Sequence, residues 1–298
     1  MTRTPDDLAS MKRDFGFEFA GIFDTMVAGQ FLGLPELGLG SMLERFFGIA
    51  PGMSRQKDDW AERPLSPEQE FYAAEDVRHL IPLRERLLEE LTARGRETWV
   101  EEECQALAAT PAAHRVFDPE DYVRVKGARD LDRRGLAVLR ELYIAREDWA
   151  REIGRPPFRV LGNESLLRLA ARRPRAREGL RKIPGCSPKV VQRYGERIFL
   201  AIDHGEAIPE AELPTYPRGR KPRVPPPVQH RIEALARWRA TAAERLGLDP
   251  GLLLPRRLVE RLAEQAPRDG EALREIEGLR HWRAQAFGRE ILSALAGC

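Results

Sequence analysis

DWAERPLSPEQEFYAAEDVRHL, residues 59–80, sets an aspartate into what is otherwise a helix face of core-type residues. Ser66 suits an N-cap, Pro67 the first helical position, and Gln69 the third residue of a capping box. A helix starting there places Tyr72, Asp76, Leu80, Leu83 and Leu87 on one stripe at steps of four, four, three and four. Asp76 alone is out of character in that stripe. Either it lies at the stripe's flank in water, or it is buried and must be paired or bound to a metal.

The residues around it carry a resemblance. Tyr72-x-x-x-Asp76, led in by DWAERPL and continued by AAEDVRHLIPL, resembles the third exonuclease motif of the DEDD 3′–5′ exonucleases in their tyrosine variant, and within them the ribonuclease D family. The resemblance implies that Asp76 binds one of two catalytic metal ions and that Tyr72 orients the attacking water. Upstream, DDLASMKRDFGFEFAGIFDTM is similar to the family segment that follows the second motif, which implies Asp7 as a further catalytic and metal-binding carboxylate. The aromatic and the Asn or His that usually precede that aspartate are replaced by Thr2, Arg3, Thr4, Pro5 and Asp6. Asp24, in IFDT, reads as a helix cap rather than a metal ligand.

A two-metal site needs carboxylates enough to neutralise and place both ions. In the family the first two come from an Asp-x-Glu on the opening strand, and no such strand precedes Asp7 here. One strand, around residues 21–23, is expected to remain of the sheet. The expectation is an N-terminally truncated relative or a misassigned start, inactive or nearly so as a nuclease.

The second half contains a duplication. At an offset of 93, Leu142 falls on Leu235, Gly154 on Gly247, Pro157 on Pro250, Leu161 on Leu254, Ile183 on Ile276, and Gly185 on Gly278. Agreement at one fixed offset marks an internal repeat. Each copy reads as a small helical bundle. In the first, a helix from 132 to 153 is stopped by Gly154 and Pro156-Pro157. A second, from 164 to 171, is capped by Asn163, and Ser187-Pro188 start the last. LRKIPGCSPKVVQRYGERI resembles the last two helices of the HRDC domain, a nucleic-acid-binding module of which ribonuclease D carries two. Each copy is expected to fold on its own core.

The expected fold is therefore mostly α: the remnant of an α/β ribonuclease H-like exonuclease domain followed by two all-α HRDC bundles. The divisions are 1–96 for the exonuclease part, 97–130 for a helical connector, 131–206 for the first HRDC copy, 207–227 for a Pro-rich basic linker and 228–298 for the second copy.

Charge separates the halves. The chain has a net charge of +2, but residues 1–130 hold 16 Lys+Arg against 25 Asp+Glu, and residues 131–298 hold 33 against 22. A basic half suits a polyanionic partner. Lys189, Arg193 and Arg197 recur at i, i+4 and i+8 on the last helix of the first copy, and with Lys182 they are the candidate nucleic-acid contacts. The second copy has Trp282, Ala286 and Glu290 at the stripe positions. The linker adds Arg218, Arg220, Lys221 and Arg223.

The three cysteines, Cys104, Cys186 and Cys298, are scattered and form no CxxC pair. The N-terminus lacks the apolar run of a signal peptide, and no stretch is long enough for a membrane span. A reducing cytoplasm is the default, with no membrane partner. The absence of a GxxxxGK[ST] loop disfavours a helicase-associated HRDC protein, and no nucleotide cofactor is expected. The resemblance implies a 3′–5′ exoribonuclease that trims RNA, tRNA precursors in particular, with Mg²⁺ or Mn²⁺ wherever the site is complete. The alternative is a catalytically silent, nucleic-acid-binding tandem HRDC protein.

Overall fold

The computed structural model describes residues 4–50, 52, 54–56, 58–111, 117–217 and 224–297. Their regular elements are all helices, with no strand among them. Two compact units result. One joins the described residues of Met1–His114 to those of Arg223–Cys298, and the other is made from Arg115–Pro222.

The first unit opens with six helices: α1 (Thr4–Phe15), α2 (Thr25–Leu32), α3 (Leu39–Phe47), α4 (Pro67–Arg78), α5 (Leu80–Ala93) and α6 (Glu97–Ala109). The strand expected at 21–23 is absent. The backbone there is irregular, and no neighbouring strand lies among the described residues to take its hydrogen bonds. Asp24 caps α2, accepting from the backbone N–H of Met26 at 2.8 Å and of Val27 at 3.2 Å. The single helix expected from Ser66 through Leu87 is two. Pro82 has no N–H to donate, and its ring crowds the carbonyl four residues back, at Arg78. α4 ends at that residue and α5 restarts at Leu80. The break ends the predicted stripe: Leu83 and Leu87 are buried, whereas Leu80 is 37% exposed and Asp76 lies open to solvent.

The second unit holds the first repeat: α7 (Arg133–Glu152), α8 (Pro157–Val160), α9 (Asn163–Arg172), α10 (Arg177–Arg181) and α11 (Pro188–Ala207). Asp132 and Ser187 cap α7 and α11 through their side chains. Asn163 does not cap α9; its Oδ1 instead accepts from Arg146 Nη1 at 2.7 Å. Leu136, Leu139, Leu142, Leu166, Leu169 and Ile198 fill the core.

The second repeat returns to the first unit as α12 (Pro226–Leu246), α13 (Pro250–Leu253), α14 (Arg256–Gln265), α15 (Gly270–Arg274) and α16 (His281–Ala296). The 93-residue offset holds at the level of backbone. α8, α9 and α10 map onto α13, α14 and α15 end for end. The left-handed residues coincide too: Gly154 with Gly247, Arg173 with Ala266, and Gly185 with Gly278. Even a side-chain bond repeats, Arg146 to the Leu161 carbonyl at 3.1 Å and Arg239 to that of Leu254 at 2.9 Å.

The second repeat does not keep a core to itself, contrary to expectation. Trp282 stacks on Trp99 of α6 at 4.6 Å and meets Phe31 of α2 edge-on at 5.3 Å. One continuous apolar cluster runs from α2, α5 and α6 into α12, α14 and α16. The C-termini of α2 and α12 converge on one guanidinium: Arg96 donates to the Phe31 carbonyl at 2.7 Å and to that of Leu246 at 2.8 Å. A positive charge suits both helix ends. Gly33, left-handed at φ 71°, permits the approach, since a Cβ there would lie 2.4 Å from the Gly247 carbonyl oxygen.

Trp282→Ala is expected to cost the first unit about 3–5 kcal/mol, the range for losing a large buried aromatic. Lys189→Ala, its exposed counterpart in the first repeat, is expected to leave stability within about 0.5 kcal/mol. A fragment of residues 115–222 should melt cooperatively, and a fragment of residues 223–298 should not. Denaturant titration by circular dichroism measures all four, and a cooperative melt of the 223–298 fragment would refute the shared core.

Candidate nuclease cleft and nucleic-acid interface

A cleft of about 900 Å³ opens in the first unit between the N-terminal end of α2, α3, residues 49, 50, 52 and 54–56, and α4. Tyr72 and Asp76, one helical turn apart on α4, both line it. The DWAERPL lead-in is folded back onto this helix. Trp60 packs on the Tyr72 ring at 6.1 Å, and Gln69 Nε2 reaches the Asp59 carbonyl at 3.4 Å. Ser66 and Gln69 complete the expected capping box. Tyr72 is therefore half-buried and fixed in place, while Asp76 is exposed.

Other polar groups share the cleft: Asp24, Arg55, Glu68 and Glu75. Asp24 is occupied as the α2 cap, and its own N–H donates to Cys104 Sγ at 3.3 Å. Burial raises the Cys104 thiol above its ordinary range. Arg55 pairs with Asp58 at 3.0 Å, and Glu75 with Arg78 at 2.8 Å. The Ser66 hydroxyl donates to Glu68 at 2.8 Å, which with the backbone holds that carboxyl below the usual carboxylate range. Glu68, Glu75 and Arg55 were not singled out in the sequence. Glu68 and Glu75 fall one turn from Tyr72 and next to Asp76 on the same helix, a relation that the 3.6 periodicity could have given.

Asp7 is half-buried on α1, which Lys12 ties to the end of α6 through the carbonyls of Ala108 and Thr110, the latter at 2.7 Å. It is not among the residues lining the cleft. No three His, Cys, Asp or Glu side chains are gathered among the described residues so as to hold an ion. The donor set present thus does not fit a two-metal centre.

The predicted basic stripe lies in the second unit. Lys182, Lys189 and Arg193 are exposed, and Arg193 covers the Tyr194 ring at 5.4 Å. Tyr194 in turn stacks on Trp149 at 5.2 Å. Arg197 differs. It forms a two-pronged pair with Glu152 at 2.6 and 2.7 Å and lies over Trp149 at 5.4 Å. The hydrogen bond to Glu152 raises the Arg197 guanidinium above its ordinary range and depresses the Glu152 carboxyl. In the second repeat the polarity is exchanged: Arg245 and Glu290, at the equivalent positions, pair at 3.0 Å, and Glu290 also accepts from Trp238 Nε1 at 2.8 Å. The linker cations Arg218, Arg220, Lys221 and Arg223 lie outside the described residues, as does Cys298.

A tyrosine–aspartate cleft ahead of two copies of one helical bundle defines a class, and comparison with known proteins gives the same one. Residues 3–92 match the 3′–5′ exonuclease family, and residues 135–202 and 229–295 each match the HRDC domain. The chain is 34% identical to ribonuclease D of Acidiphilium cryptum over 289 residues, covering 95% of this chain and 70% of that one. It is 32% identical to ribonuclease D of Pseudomonas paraeruginosa, covering 97% and 76%. Among solved structures, Escherichia coli RNase D, an exoribonuclease involved in structured RNA processing, aligns with a TM-score of 0.62 at 25% identity, over 98% of this chain and 77% of that one. A protein from Bifidobacterium adolescentis shares the fold at a TM-score of 0.76 and 24% identity, over 100% and 78%. The chain belongs to the ribonuclease D family of 3′–5′ exoribonucleases.

If the stripe binds phosphates, Arg197 is its least available cation. Arg197→Ala is expected to weaken RNA binding less than Lys189→Ala. Glu152→Gln should release Arg197, tighten binding, and steepen the dependence of log Kd on log salt by about 0.7, the value for one added contact on a single strand. Fluorescence anisotropy across a salt series reads both quantities. Weaker binding by Glu152→Gln would show that the pair orders the surface rather than masking it.

Proposed function

We propose that this chain acts on the 3′ ends of structured RNA, tRNA precursors among them, with the cleft of the first unit taking the 3′ end and the first HRDC copy holding the RNA body. The observation that carries the proposal is the placing of Tyr72 and Asp76 in one cleft, with Trp60 and the Ser66–Gln69 capping box fixing the helix that bears them. In this reading the Tyr72 hydroxyl positions the attacking water, and Asp76 would serve as a metal ligand where further carboxylates complete the set. Asp7 is a further acidic residue of the same proposal. The RNA body lies along Lys182, Lys189 and Arg193, with Arg197 available once Glu152 lets go. Phosphate contacts of this kind supply affinity without sequence preference.

Divalent-ion chemistry, with Mg²⁺ or Mn²⁺, belongs to the proposal only where more carboxylates complete the set. A second reading, a tandem HRDC protein that binds RNA without cleaving it, is favoured by that same donor set. A cytoplasmic location is part of the proposal. It accords with two free, buried cysteines, Cys104 and Cys186, and with the absence of any described helix long and apolar enough to cross a membrane.

One assay separates the two readings. The 298-residue chain, incubated with a 3′-tailed RNA and Mg²⁺ or Mn²⁺, is expected to bind it and to release nucleotides at least about a hundredfold below the median enzyme turnover of about 10 s⁻¹. Any residual activity should vanish with Asp76→Asn and fall strongly with Tyr72→Phe. Rapid hydrolysis lost in Asp76→Ala would reject the silent reading and require other groups of this chain to complete the site. Rapid hydrolysis untouched by either change would remove Tyr72 and Asp76 from the chemistry.

A further inference from the structure

The second unit has another concave surface, used neither by the stripe on α11 nor by the cleft. It is a hollow of about 770 Å³, within the usual range for small-ligand pockets. One wall is the segment leading into α7, two short 3-10 helices (Pro119–Arg124 and Ala128–Asp130) and the turn between them, which contributes Arg124, Lys126 and Arg129. The start of α9 forms the facing wall, and Tyr216 closes a third side. Between them Gly127, at φ 101°, keeps the floor low; a Cβ there would lie 2.7 Å from Leu167 Cδ2.

The polar groups of this hollow are mainly donors. Arg124 and Arg129 pair with Asp121 at 3.0 Å and Asp130 at 3.5 Å, but with side chains 79% and 76% exposed. Such exposed pairs contribute little and exchange readily for another anion. Lys126 is exposed as well. Asn163 has its Oδ1 taken by Arg146, which leaves its amide NH₂ as the group still to be matched. The one carboxylate on the α9 wall, Glu164, is held by Arg168 at 2.6 Å. A surface of this kind selects an anion with room for a ring beside it. The Tyr216 ring, 37% exposed, is the available stacking face.

We infer that this hollow holds one nucleotide of a single-stranded RNA, its base against Tyr216 and its phosphate within reach of Arg124, Lys126 and Arg129. Stacking on an aromatic side chain beside a cationic groove is the general means of gripping single strands without reading their sequence. The choice of RNA rests on the ribonuclease D reading, whereas the nucleotide chemistry rests on the hollow. The site belongs to the first repeat's unit alone. At the offset of 93, Asn163, Glu164 and Leu167 are replaced by Arg256, Arg257 and Glu260.

The test uses the whole chain and a fluorescein-labelled 12-nucleotide oligo(A), with EDTA to prevent hydrolysis, and reads anisotropy across a salt series. Lys126→Ala/Arg129→Ala is expected to weaken binding and to flatten the log Kd against log salt slope by about 1.4, for two lost contacts on a single strand. Tyr216→Ala should weaken binding about five- to a hundredfold with an unchanged slope, and Tyr216→Phe should bind as the parent does. Thermal melts by circular dichroism check that each variant is folded. Parent-like binding by both the double variant and Tyr216→Ala, alongside a loss in Lys189→Ala, would overturn this site while leaving the RNA reading in place. Tyr216→Phe binding as poorly as Tyr216→Ala would overturn the stacking. No binding of the 12-mer by the parent chain would overturn the RNA reading, and this inference with it.

Discussion

Arg283 carries a guanidinium, 4% exposed, into the seam between the front helices and the second repeat. It meets Glu103 of α6 at 2.5 Å and the carbonyls of Leu253 and Leu252 at 2.8 and 2.9 Å, and it lies over the Trp282 ring at 4.3 Å. Glu103 accepts from Trp282 Nε1 as well. Burial holds the Arg283 guanidinium below its ordinary range, and the opposing pull of the Glu103 carboxylate offsets this only in part. A buried charge so fully matched does not add much stability over an apolar filling of the same volume. Removing one partner is another matter, because the other charge is then left without water or a match. The arrangement makes separation of the second repeat from α6 costly in a way that the apolar contacts around it do not. It fixes which surface of the repeat docks and leaves other apolar faces without that option.

The same duplication event has thus been put to two uses. At one position the first repeat has Lys189, exposed, and the second has Trp282, buried against α2 and α6. At another, the Glu152–Arg197 pair has become Arg245–Glu290. Reversal of a surface pair preserves its attraction and moves one positive charge off α16 onto α12. The bundle tolerates both changes because its frame rests on groups that were kept: the left-handed turns at Gly154 and Gly247, and the buried arginines bonded to the Leu161 and Leu254 carbonyls. With the frame secured locally, the outer faces were free to differ, one presenting exposed cations and the other docking on α2 and α6.

Much of this frame could be read from sequence, since its determinants are local. Asp132 and Ser187 announce their helices as caps, and the repeat offset carries from residues to dihedral angles without a shift. Asp24 was legible as a cap for the same reason. The failures were of two kinds. The apolar stripe from Tyr72 to Leu87 suggests one helix, but Pro82 is a stronger local signal and divides α4 from α5. Asn163 carries a good cap residue's side chain, but a buried arginine fifteen residues from its own carbonyl partner claims that oxygen first. The docking of Trp282 was not legible at all. The exchange of lysine for tryptophan is visible in the sequence, whereas its partners, Phe31 and Trp99, lie far away along the chain. For the candidate cleft, the YxxxD spacing places Tyr72 and Asp76 one turn apart, which is all that spacing can do. Whether other carboxylates join them depends on contacts between distant segments.

The cleft and the stripe ask opposite things of their charged groups. A carboxylate proposed for catalysis has to be reachable, and Asp76 meets that need by being exposed while lining the cleft. Its neighbour Glu75 does not, since Arg78 occupies it. A phosphate-binding cation has to be reachable without being matched already. Lys189 and Arg193 meet that condition, and Arg197 fails it because Glu152 supplies the geometry of a phosphate in advance. Exposed pairs are cheap to break, at about 0–1 kcal/mol, yet a two-pronged guanidinium–carboxylate pair lying over Trp149 is stronger than most. RNA that recruits Arg197 must therefore displace a carboxylate, and its gain from that contact is the difference between two similar anions. In the proposed binding mode the first HRDC copy contributes through its unmatched cations, and Glu152 competes with RNA for Arg197.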